Sequence, residues 1–410
     1  MKDLERILKR VDSYEEAMVE LQIQLSAIPA LAPESGGDGE YAKALFLKKK
    51  LSEFGFTRIE SIDAPDARVS SGVRPNIIAS LEGASAQGAV WVFTHVDVVP
   101  PGDLRAWEQD PFRGYCRDGK VYGLGTEDNQ QDLVASLFAA KAYVDEGIRP
   151  GRPVKLAFLA DEETGSNYGI EYLIKNREDM FSFSDLLLAP DFGDQLGSVI
   201  EVAEKSMLWL RFRTSGRQCH ASTPHLGNNA FRAASFLVAR LNGLYEKFDR
   251  TDPLYGPPIS TFEPTKKEAN VPNVNTIPGE DVFYLDCRVL PSYPLEEVCA
   301  EARKAADEVQ QRFGVAIEIS PVQKVQAPAP TPADAPIVLA LQKAVKEVYN
   351  VEPSAVGIGG GTVAAPMRSR GYSTAVWSRL GNMAHQPNEH CLISNMVGNA
   401  KVFARLFFET

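Results

Sequence analysis

The sequence has few histidines and few cysteines, five of each among 410 residues. The cysteines are scattered, odd in number and free of any C-x-x-C pair, which favours reduced thiols over a disulfide framework. No apolar run approaches the ~18 residues that a membrane span requires. The N-terminal stretch MKDLERILKRVDSYEEAM is rich in charge and lacks the apolar core of a signal peptide. We therefore expect a soluble, cytoplasmic protein with no membrane partner.

Blocks of basic residues are also absent. The chain has 43 Lys and Arg residues against 54 Asp and Glu residues, which gives a net charge of −11. This charge repels phosphate backbones and anionic lipid surfaces, so we expect no nucleic-acid partner. The apolar and charged fractions, 44% and 24%, are those of a globular protein. The length allows two or more domains with sizeable cores.

Residues 42–191 alternate between helical and extended patterns. QQDLVASLFAAKAYVDEG has a helical pattern that ends at Gly147, whereas AVWVFTHVDVV, PVKLAFLADEE and DLLLAPD have the pattern of buried strands. Continuous apolar strands separated by helices predict an α/β fold with a mixed, largely parallel sheet and helices on both faces. In such sheets, ligands bind beyond the carboxyl ends of the strands.

The pattern changes near Ser206. Four strand patterns and two helical patterns follow in the order β-α-β-β-α-β, which is the order of a ferredoxin-like α+β module. The proline-rich stretch VQAPAPTPADAP then leads back to the α/β style. We therefore predict an α/β domain formed by residues 1–204 and 325–410, interrupted by an inserted domain of residues 205–324.

Three strand-like segments of the first domain end in side chains that can bind metals, namely His95 and Asp97, Asp161 to Glu163, and Asp191. Glu127 and Asp128 lie at a glycine-rich helix entry, and the distant loop GNMAHQPNEH supplies His385 and His390. Each motif alone is more often an ordinary solvated strand end. Carboxylates buried side by side repel one another, however, unless a cation is present. Imidazoles and carboxylates without thiolates suit Zn²⁺, Co²⁺ or Mn²⁺, so the pattern predicts a site for such ions.

These motifs and their order resemble the M20 family of metallopeptidases and amidohydrolases. They are HVDVVP, GLGTEDNQQ, ADEETGS, PDFGD and AHQPNEH, and GRQCHASTPHLGNNA in the inserted domain is similar to the family's lid motif. The resemblance covers nearly the whole chain. It implies a catalytic α/β domain, an inserted lid and dimerisation domain, a homodimer formed through that domain, and two divalent ions per chain. Zinc is the first expectation, with cobalt or manganese as alternatives.

The resemblance implies a ligand set for these two ions. His95 and Asp191 would bind one ion. Glu163 and His385 would bind the other, and Asp128 would bridge the two. This set contains two imidazoles and three carboxylates, which is consistent with the metals named above.

The resemblance also implies three catalytic roles. Asp97 would orient His95 from behind. Glu162 would be the general base that deprotonates the bridging water and hands the proton to the leaving amine, for which burial would have to raise its pKa. His220 would help to hold the oxyanion at the active site of the partner subunit. From the residues alone, His220 could equally be an ordinary loop histidine.

Substrate contacts are implied by two further segments. NVPNVNTIPGEDVFYLDCRV resembles an asparagine-bearing loop and its following strand, so Asn275 and Arg288 are expected to bind a substrate carboxylate. Gly359, Gly360 and Gly361 would bring backbone N–H groups close to the ligand, and the alternative is a plain turn. The chain departs from the family at GTEDNQQ, where many relatives have GxxDMKG.

The sequence leaves more than one function open. The first is hydrolysis of an amide or peptide bond in a small substrate with a free carboxylate, such as a dipeptide or an N-acyl amino acid. Aspartate rather than glutamate at position 191 resembles the peptidase-like members of the family somewhat more than the deacylases, while removal of an N-succinyl or N-acetyl group stays open. A non-catalytic binding protein would require a broken ligand set, and the set is complete. A single-zinc hydrolase of another fold would require H-E-x-x-H on a helix, which the sequence lacks.

Overall fold

The computed structural model describes residues 2–409. Its α-helices are α1 Lys2–Asp12, α2 Glu15–Ser26, α3 Tyr41–Glu53, α4 Gln131–Glu146, α5 Ile170–Arg177, α6 Ala230–Leu241, α7 Gly243–Lys247, α8 Leu295–Phe313, α9 Pro336–Tyr349, α10 Ala364–Ser369 and α11 Ile393–Phe407. None of the helices within residues 2–409 has both the length and the apolar composition that crossing a bilayer requires.

The strands are β1 Arg58–Pro65, β2 Val73–Leu81, β3 Val90–His95, β4 Tyr115–Arg117, β5 Lys120–Tyr122, β6 Val154–Leu159, β7 Leu186–Asp194, β8 Val199–Glu204, β9 Ser206–Ser215, β10 Cys219–His220, β11 Thr261–Lys267, β12 Thr276–Ile277, β13 Glu280–Val289, β14 Ala316–Val325, β15 Ser354–Ile358, β16 Thr374–Arg379 and β17 His390–Leu392. They form sheets of eight, four, three and two strands.

The chain divides into two compact units. The first contains the residues up to Val202, Pro330–Ala355 and the residues from Thr362 onward. The second contains Ala203–Ala329 and Val356–Gly361. The short segment Val356–Gly361, which carries the glycine cluster, therefore groups with the second unit although it lies between parts of the first along the chain.

The larger sheet has the strand order β1-β2-β6-β3-β7-β16-β8-β15. Its central strands are parallel, because β3 pairs in parallel with β6 and β7, and β16 pairs in parallel with β7. Strands β1, β2 and β8 add antiparallel pairings toward the edges. The predicted mixed, largely parallel α/β sheet is confirmed.

Strand β3 lies in the middle of this sheet and is buried along its whole length. Trp91 and Phe93 stack with ring centroids 5.5 Å apart, and Phe181 packs 4.8 Å from Trp91. A strand covered on both faces needs apolar residues on both faces, which explains the unbroken run VWVF. The strand ends at His95, so this polar side chain lies at the carboxyl edge of the sheet.

The second unit is built on an antiparallel sheet with the strand order β11-β13-β9-β14. Helices α6 and α8 pack against this sheet. In β9, Leu208, Leu210 and Phe212 are buried and alternate with more exposed residues such as Trp209. This period of two is the pattern of a strand with one covered face. The order matches the predicted ferredoxin-like module, which confirms this part of the predicted fold class.

Candidate metal centre

The carboxyl ends of β3, β6 and β7 bring metal-binding side chains to one edge of the large sheet. His95 ends β3, Glu162 and Glu163 follow β6, and Asp191 lies within β7. Asp128 comes from the helical turn Thr126–Gln130 that precedes α4. His385 comes from the loop between β16 and β17. Parallel strands end at the same edge, and that is why residues far apart in sequence meet here.

Asp128 lies between two histidines. Its Oδ1 is 3.0 Å from Nε2 of His95, and its Oδ2 is 3.2 Å from Nε2 of His385. The same Nε2 of His385 is 3.2 Å from Oε2 of Glu163, and Nε2 of His95 is 3.5 Å from Oδ1 of Asp191. Each oxygen of one carboxylate thus faces a different imidazole, which is the arrangement that a bridging ligand needs.

The donor atoms fit divalent cations. Two sets of three, each within 4.8 Å, could hold an ion: His95 with Glu162 and Asp191, and His95 with Asp128 and Glu163. Oε1 of Glu163 is buried and has no hydrogen-bond partner among the described residues. A buried acceptor without a partner is costly, and so are several carboxylates together, unless a cation compensates them. The nitrogen and oxygen donors suit Zn²⁺, Co²⁺ or Mn²⁺.

Asp97 connects the end of β3 to the turn after β6. Its Oδ1 is 3.4 Å from Nδ1 of His95. Its two carboxylate oxygens also accept the backbone N–H groups of Glu162 and Glu163, at 3.2 and 3.1 Å. The buried carboxylate is therefore placed to hold both the imidazole and the turn, as the orienting role predicted for Asp97 requires.

The electrostatic environment differs among the acids. Burial raises the pKa of Glu162 well above its usual value, and the negative charge of Asp191 acts in the same direction. Burial also opposes ionisation of Asp128, but hydrogen bonds from His385 and His95 outweigh it and lower the pKa of Asp128. Hydrogen bonding to Asp128 contributes most to raising the pKa of His385 to about 10. One acid is thus suited to carry a proton and another to stay ionised.

Two further glutamates anchor the loops of the centre. The carboxylate of Glu127 accepts backbone N–H groups within residues 381–383. The carboxylate of Glu389 accepts the N–H groups of Gly125, Glu127 and Asp128 at 2.7, 2.9 and 3.0 Å. From the sequence, Glu127 is a candidate metal-binding residue, whereas Glu389 has no predicted role. Both are buried, and their partners are backbone groups.

The segment after Asp128, which departs from the family pattern, is packed with buried amides. Asn129 donates through Nδ2 to the carbonyl of Pro190 at 2.7 Å and to Oδ1 of Asp191 at 2.9 Å. Gln130 accepts a hydrogen bond from the hydroxyl of Ser26 at 3.2 Å. Sequence reasoning missed Asn129 as a residue that holds Asp191, although its place directly after a predicted ligand was a signal.

Buried cations lie near the acids of the centre. Arg74 donates through Nε to Glu40 at 2.5 Å, and its Nη2 is 3.5 Å from Oδ1 of Asp161. Lys43 is buried as well, and burial lowers its pKa to about 8 while the charge of Asp97 opposes this shift. These residues come from a part of the chain in which no motif was recognised, and only the presence of charged residues in apolar helix and strand patterns could have indicated them.

The second unit holds the other predicted residues. His220 is exposed, and its Nδ1 is 2.7 Å from the hydroxyl of Ser222. The N–H of Ala221 donates to the carbonyl of Asn275 at 2.9 Å. His220 and Asn275 are therefore neighbours, held together by the pairing of β10 with β12.

Arg288 lies beside the glycine segment of the same unit. It donates through Nε and Nη2 to both carboxylate oxygens of Asp286, at 2.7 and 3.0 Å, and through Nη1 to the carbonyl of Gly359 at 2.8 Å. A Cβ added at Gly359 or Gly360 would meet no closer atom than 3.9 Å, and one at Gly361 would lie 3.2 Å from a methionine methyl group. Packing within the chain therefore does not demand glycine at the first two positions.

The chain is similar to known metallohydrolases. The family model described as peptidase family M20/M25/M40 matches residues 91–409. The chain belongs to this family. A metallohydrolase of Methanocaldococcus jannaschii is 39% identical, with 96% of this chain and 99% of the relative covered. A succinyl-diaminopimelate desuccinylase of Methylorubrum populi is 27% identical, with 92% of this chain and 94% of the relative covered.

The fold is shared with solved structures. The crystal structure of human carnosine dipeptidase 1 superposes with a TM-score of 0.78 at 18% identity, covering 99% of this chain and 98% of the other. The predicted family is therefore confirmed, and the chain is an M20 metallohydrolase. The family is metal-dependent, and the first unit brings together residues that could hold a metal ion.

Proposed function

We propose that this M20 metallohydrolase cleaves the amide or peptide bond of a small substrate that has a free carboxylate, either a dipeptide or an N-acyl amino acid. The observation that carries the proposal is the position of Asp128, whose two oxygens face His95 and His385. A carboxylate shared in this way supports a centre for two ions rather than one.

Two divalent ions would be held by the residues already described. His95 and Asp191 would hold one ion, and Glu163 and His385 the other, with Asp128 between them. When bound, such ions act as Lewis acids and lower the pKa of water. Zinc suits the donor set, and cobalt or manganese are the alternatives.

Glu162 is proposed as the general base. Its raised pKa allows it to take a proton from the attacking water and to pass the same proton to the nitrogen of the leaving amine. The balance is then complete: water gives its oxygen and one proton to the new carboxyl group and its other proton, carried by Glu162, to the leaving nitrogen. At neutral pH the carboxyl proton is also lost and the amine is protonated, so a carboxylate and an ammonium group leave. Asp97 supports this role by binding the backbone N–H group of Glu162.

The second unit would supply the substrate contacts. We assign His220 to the oxyanion at the partner subunit's active site, and Asn275 and Arg288 to the substrate carboxylate. The glycines at 359, 360 and 361 would present backbone N–H groups. His220 and Asn275 are neighbours in the second unit, which supports a role for both in contacting the substrate. These roles imply a homodimer formed through the second unit, and five free cysteines suit a reducing compartment such as the cytoplasm.

Peptidase and deacylase are both represented among the similar proteins. One relative is a desuccinylase, and one protein of the same fold is a dipeptidase. The aspartate at position 191 favours peptidase activity. A binding protein without catalysis is not favoured, because the sequence carries all five proposed ligands and the proposed base Glu162.

Metal reconstitution combined with a substrate panel tests the proposal. The protein is stripped with a chelator, reloaded separately with Zn²⁺, Co²⁺ and Mn²⁺, and assayed with dipeptides, N-acetyl amino acids and N-succinyl amino acids. We expect up to two ions per chain and hydrolysis of at least one class. Failure to bind any of the ions would overturn the metal centre. Two bound ions without hydrolysis of any class would favour the binding protein, and sedimentation of the same sample reports whether it is a dimer.

A further inference from the structure

A small cleft adjoins the metal centre within the first unit. It has a volume of about 150 Å³. Asp128, Asn129 and Asp191 lie on its side toward the metal centre, and the rest of its lining is formed by Glu127, Pro190, Phe192, Gly193, Leu380, Asn382 and Ala384. Two ligands of the proposed centre therefore border a space that could receive part of a substrate.

The wall away from the ligands is largely apolar and carries no positive charge; Asn382 is its neutral polar side chain. Phe192, Leu380 and Ala384 supply hydrocarbon, and none of the described residues that line the cleft is Lys or Arg. The carboxylate of Glu127 is engaged by backbone N–H groups. With the ions of the proposed centre bound, Asp128 and Asp191 are engaged as ligands, and a substrate carboxylate placed deeper in the cleft would lie against Phe192, Leu380 and Ala384 without a Lys or Arg to pair with it, which is unfavourable. The lining thus selects against the distal carboxylate of a succinyl group.

The volume limits the size of the group. An engineered apolar cavity of about 150 Å³ in another protein binds benzene, so a space of this volume accepts roughly three to six carbon atoms. An acetyl group would leave much of it unfilled. A propyl, isopropyl or isobutyl group fits both the volume and the lining.

The cleft is built on rigid parts of the first unit. Phe192 packs against the buried core of the large sheet. At Gly193, an added Cβ would lie 1.8 Å from the carbonyl oxygen of Ser378, so β7 and β16 are in close contact beside the cleft. Glu127 fixes the backbone of residues 381–383 on the opposite side. A cleft with walls held in this way is formed before substrate binds.

We infer that this cleft is a specificity subsite that receives an uncharged apolar group flanking the scissile bond, with Phe192, Leu380 and Ala384 setting the size of that group. The inference rests on the proposed function and narrows it to substrates with small apolar side chains or short alkanoyl groups. It predicts a lower kcat/KM for N-succinyl amino acids than for such substrates.

Two matched substrate series test the subsite with the zinc-loaded enzyme. In the first series one amino acid carries an acetyl, butyryl, isovaleryl or succinyl group. In the second series, dipeptides carry Gly, Val, Leu or Glu at either position. In at least one series we expect kcat/KM to rise about four-fold for each added methylene group until the cleft is full. The kcat/KM for the substrate with a charged group of similar length should be at least about ten-fold lower than for its apolar counterpart.

Substitutions of the wall make the test specific. Ala384→Leu fills the cleft and should lower kcat/KM for the isovaleryl or leucyl substrate at least about ten-fold more than for the acetyl or glycyl substrate. Phe192→Leu enlarges the cleft and should shift the optimum toward larger groups. Ala86→Leu, on an exposed turn outside the cleft, is the matched control and should leave the profile unchanged. Ion content is measured in every preparation, so that a damaged metal centre is recognised.

The outcomes separate this inference from the proposed function. Hydrolysis that does not depend on the size or charge of the group, or equal losses for all substrates in Ala384→Leu and Phe192→Leu with ions retained, would overturn the subsite and leave the hydrolase in place. Succinyl substrates cleaved as well as isovaleryl substrates would also overturn it. No hydrolysis in either series would overturn the proposed function and this inference with it.

Discussion

Glu127 and Glu389 each bind the backbone of the segment that carries the other. Glu389 accepts the N–H group of Glu127 itself as well as those of Gly125 and Asp128. Glu127 accepts N–H groups from residues 381–383, directly before His385. Two loops that are more than 250 residues apart are thereby tied together on both sides of the Asp128–His385 contact. The reciprocal bonds fix the distance between these two proposed ligands.

Glu389→Gln should weaken this connection. Glutamine has one acceptor oxygen, and its amide group would face backbone donors, so at least one buried N–H group loses its partner at a cost of about 1–3 kcal/mol. We expect a lower free energy of unfolding and an affinity for one of the two ions that falls roughly 10–100-fold. Denaturant titration of the metal-free protein and calorimetric titration with Zn²⁺ measure the two effects.

The matched control for that variant is Glu171→Gln, at an exposed position in α5. It makes the same chemical change away from the centre and should alter neither quantity. If Glu389→Gln lowered stability but bound both ions as tightly as the unchanged protein, Glu389 would support the fold without positioning the ligands.

Glu162→Gln should separate metal binding from turnover. The side chain keeps its size, and the ligands proposed for the two ions are untouched, but the amide cannot accept and return a proton at neutral pH. Loss of a general base lowers rates by about 10²–10⁴-fold. We expect kcat to fall at least that far while two ions remain bound, as measured by elemental analysis of the assayed sample. A near-normal kcat would remove Glu162 as the base.

Asp97→Asn should affect both the imidazole and the catalytic turn. The asparagine has one oxygen in place of the two that accept the N–H groups of Glu162 and Glu163, and it places an amide near Nδ1 of His95. Changes to groups that orient metal ligands cost roughly 10–100-fold in metal affinity or activity. We expect a loss of this size in Zn²⁺ affinity. Unaltered affinity together with unaltered kcat would show that the orientation of His95 does not depend on this carboxylate.

His220→Ala tests the proposed contribution of the second unit. The variant should lose kcat by about 10²–10³-fold, the range seen when one oxyanion donor is removed, with its ion content intact. Mixing it with the Glu162→Gln protein should restore part of the activity if the two residues act at one site from different subunits. Ser222→Ala, which removes the hydroxyl bonded to Nδ1 of His220, is a milder companion variant. Full activity of His220→Ala would show that His220 is an ordinary surface histidine without a role in catalysis.

The residues of the proposed centre could be predicted from the sequence where they lie in short local motifs. Segments that carry His95 or Asp191 are recognisable because a buried apolar run gives way to a metal-binding side chain, and parallel strands end at a common edge. Asp128 is recognisable because it lies in an acidic turn that follows a glycine and precedes a helical pattern. Strand β9 was predictable because its buried and exposed residues alternate, and the end of α4 was predictable because Gly147, with a φ of 63°, follows its last residue.

The sequence could not reveal groups whose role depends on distant backbone. Glu389 stands in a polar loop and looks solvated until the partner segment 125–128 is in place. Arg74 and Glu40 form a buried pair across 34 positions, and neither belongs to a local pattern. The cleft beside Asp128 draws its wall from three separate segments, so its size and charge exist only in the folded chain.

Asp132 should make the stability of the first unit depend on pH. It is buried in α4, and its carboxylate accepts hydrogen bonds from Ser378 at 2.6 Å and from Asn399 at 2.8 Å. Burial raises its pKa from 3.8 to about 7, although these hydrogen bonds oppose the shift. Between these two pKa values the folded chain keeps a proton that the unfolded chain has lost.

Stability is therefore favoured below the unfolded pKa and falls as the pH rises toward about 7, by at most ~1.4 kcal/mol per pH unit. Asp132→Asn cannot titrate at this position. The difference between its free energy of unfolding and that of the unchanged protein should therefore shift in favour of the variant by about 3 kcal/mol between pH 5 and pH 8. Urea titrations of both metal-free proteins across this range give the difference, in which the titration of the other groups cancels. Parallel pH profiles for the two proteins would show that Asp132 is already ionised in the folded chain at pH 5.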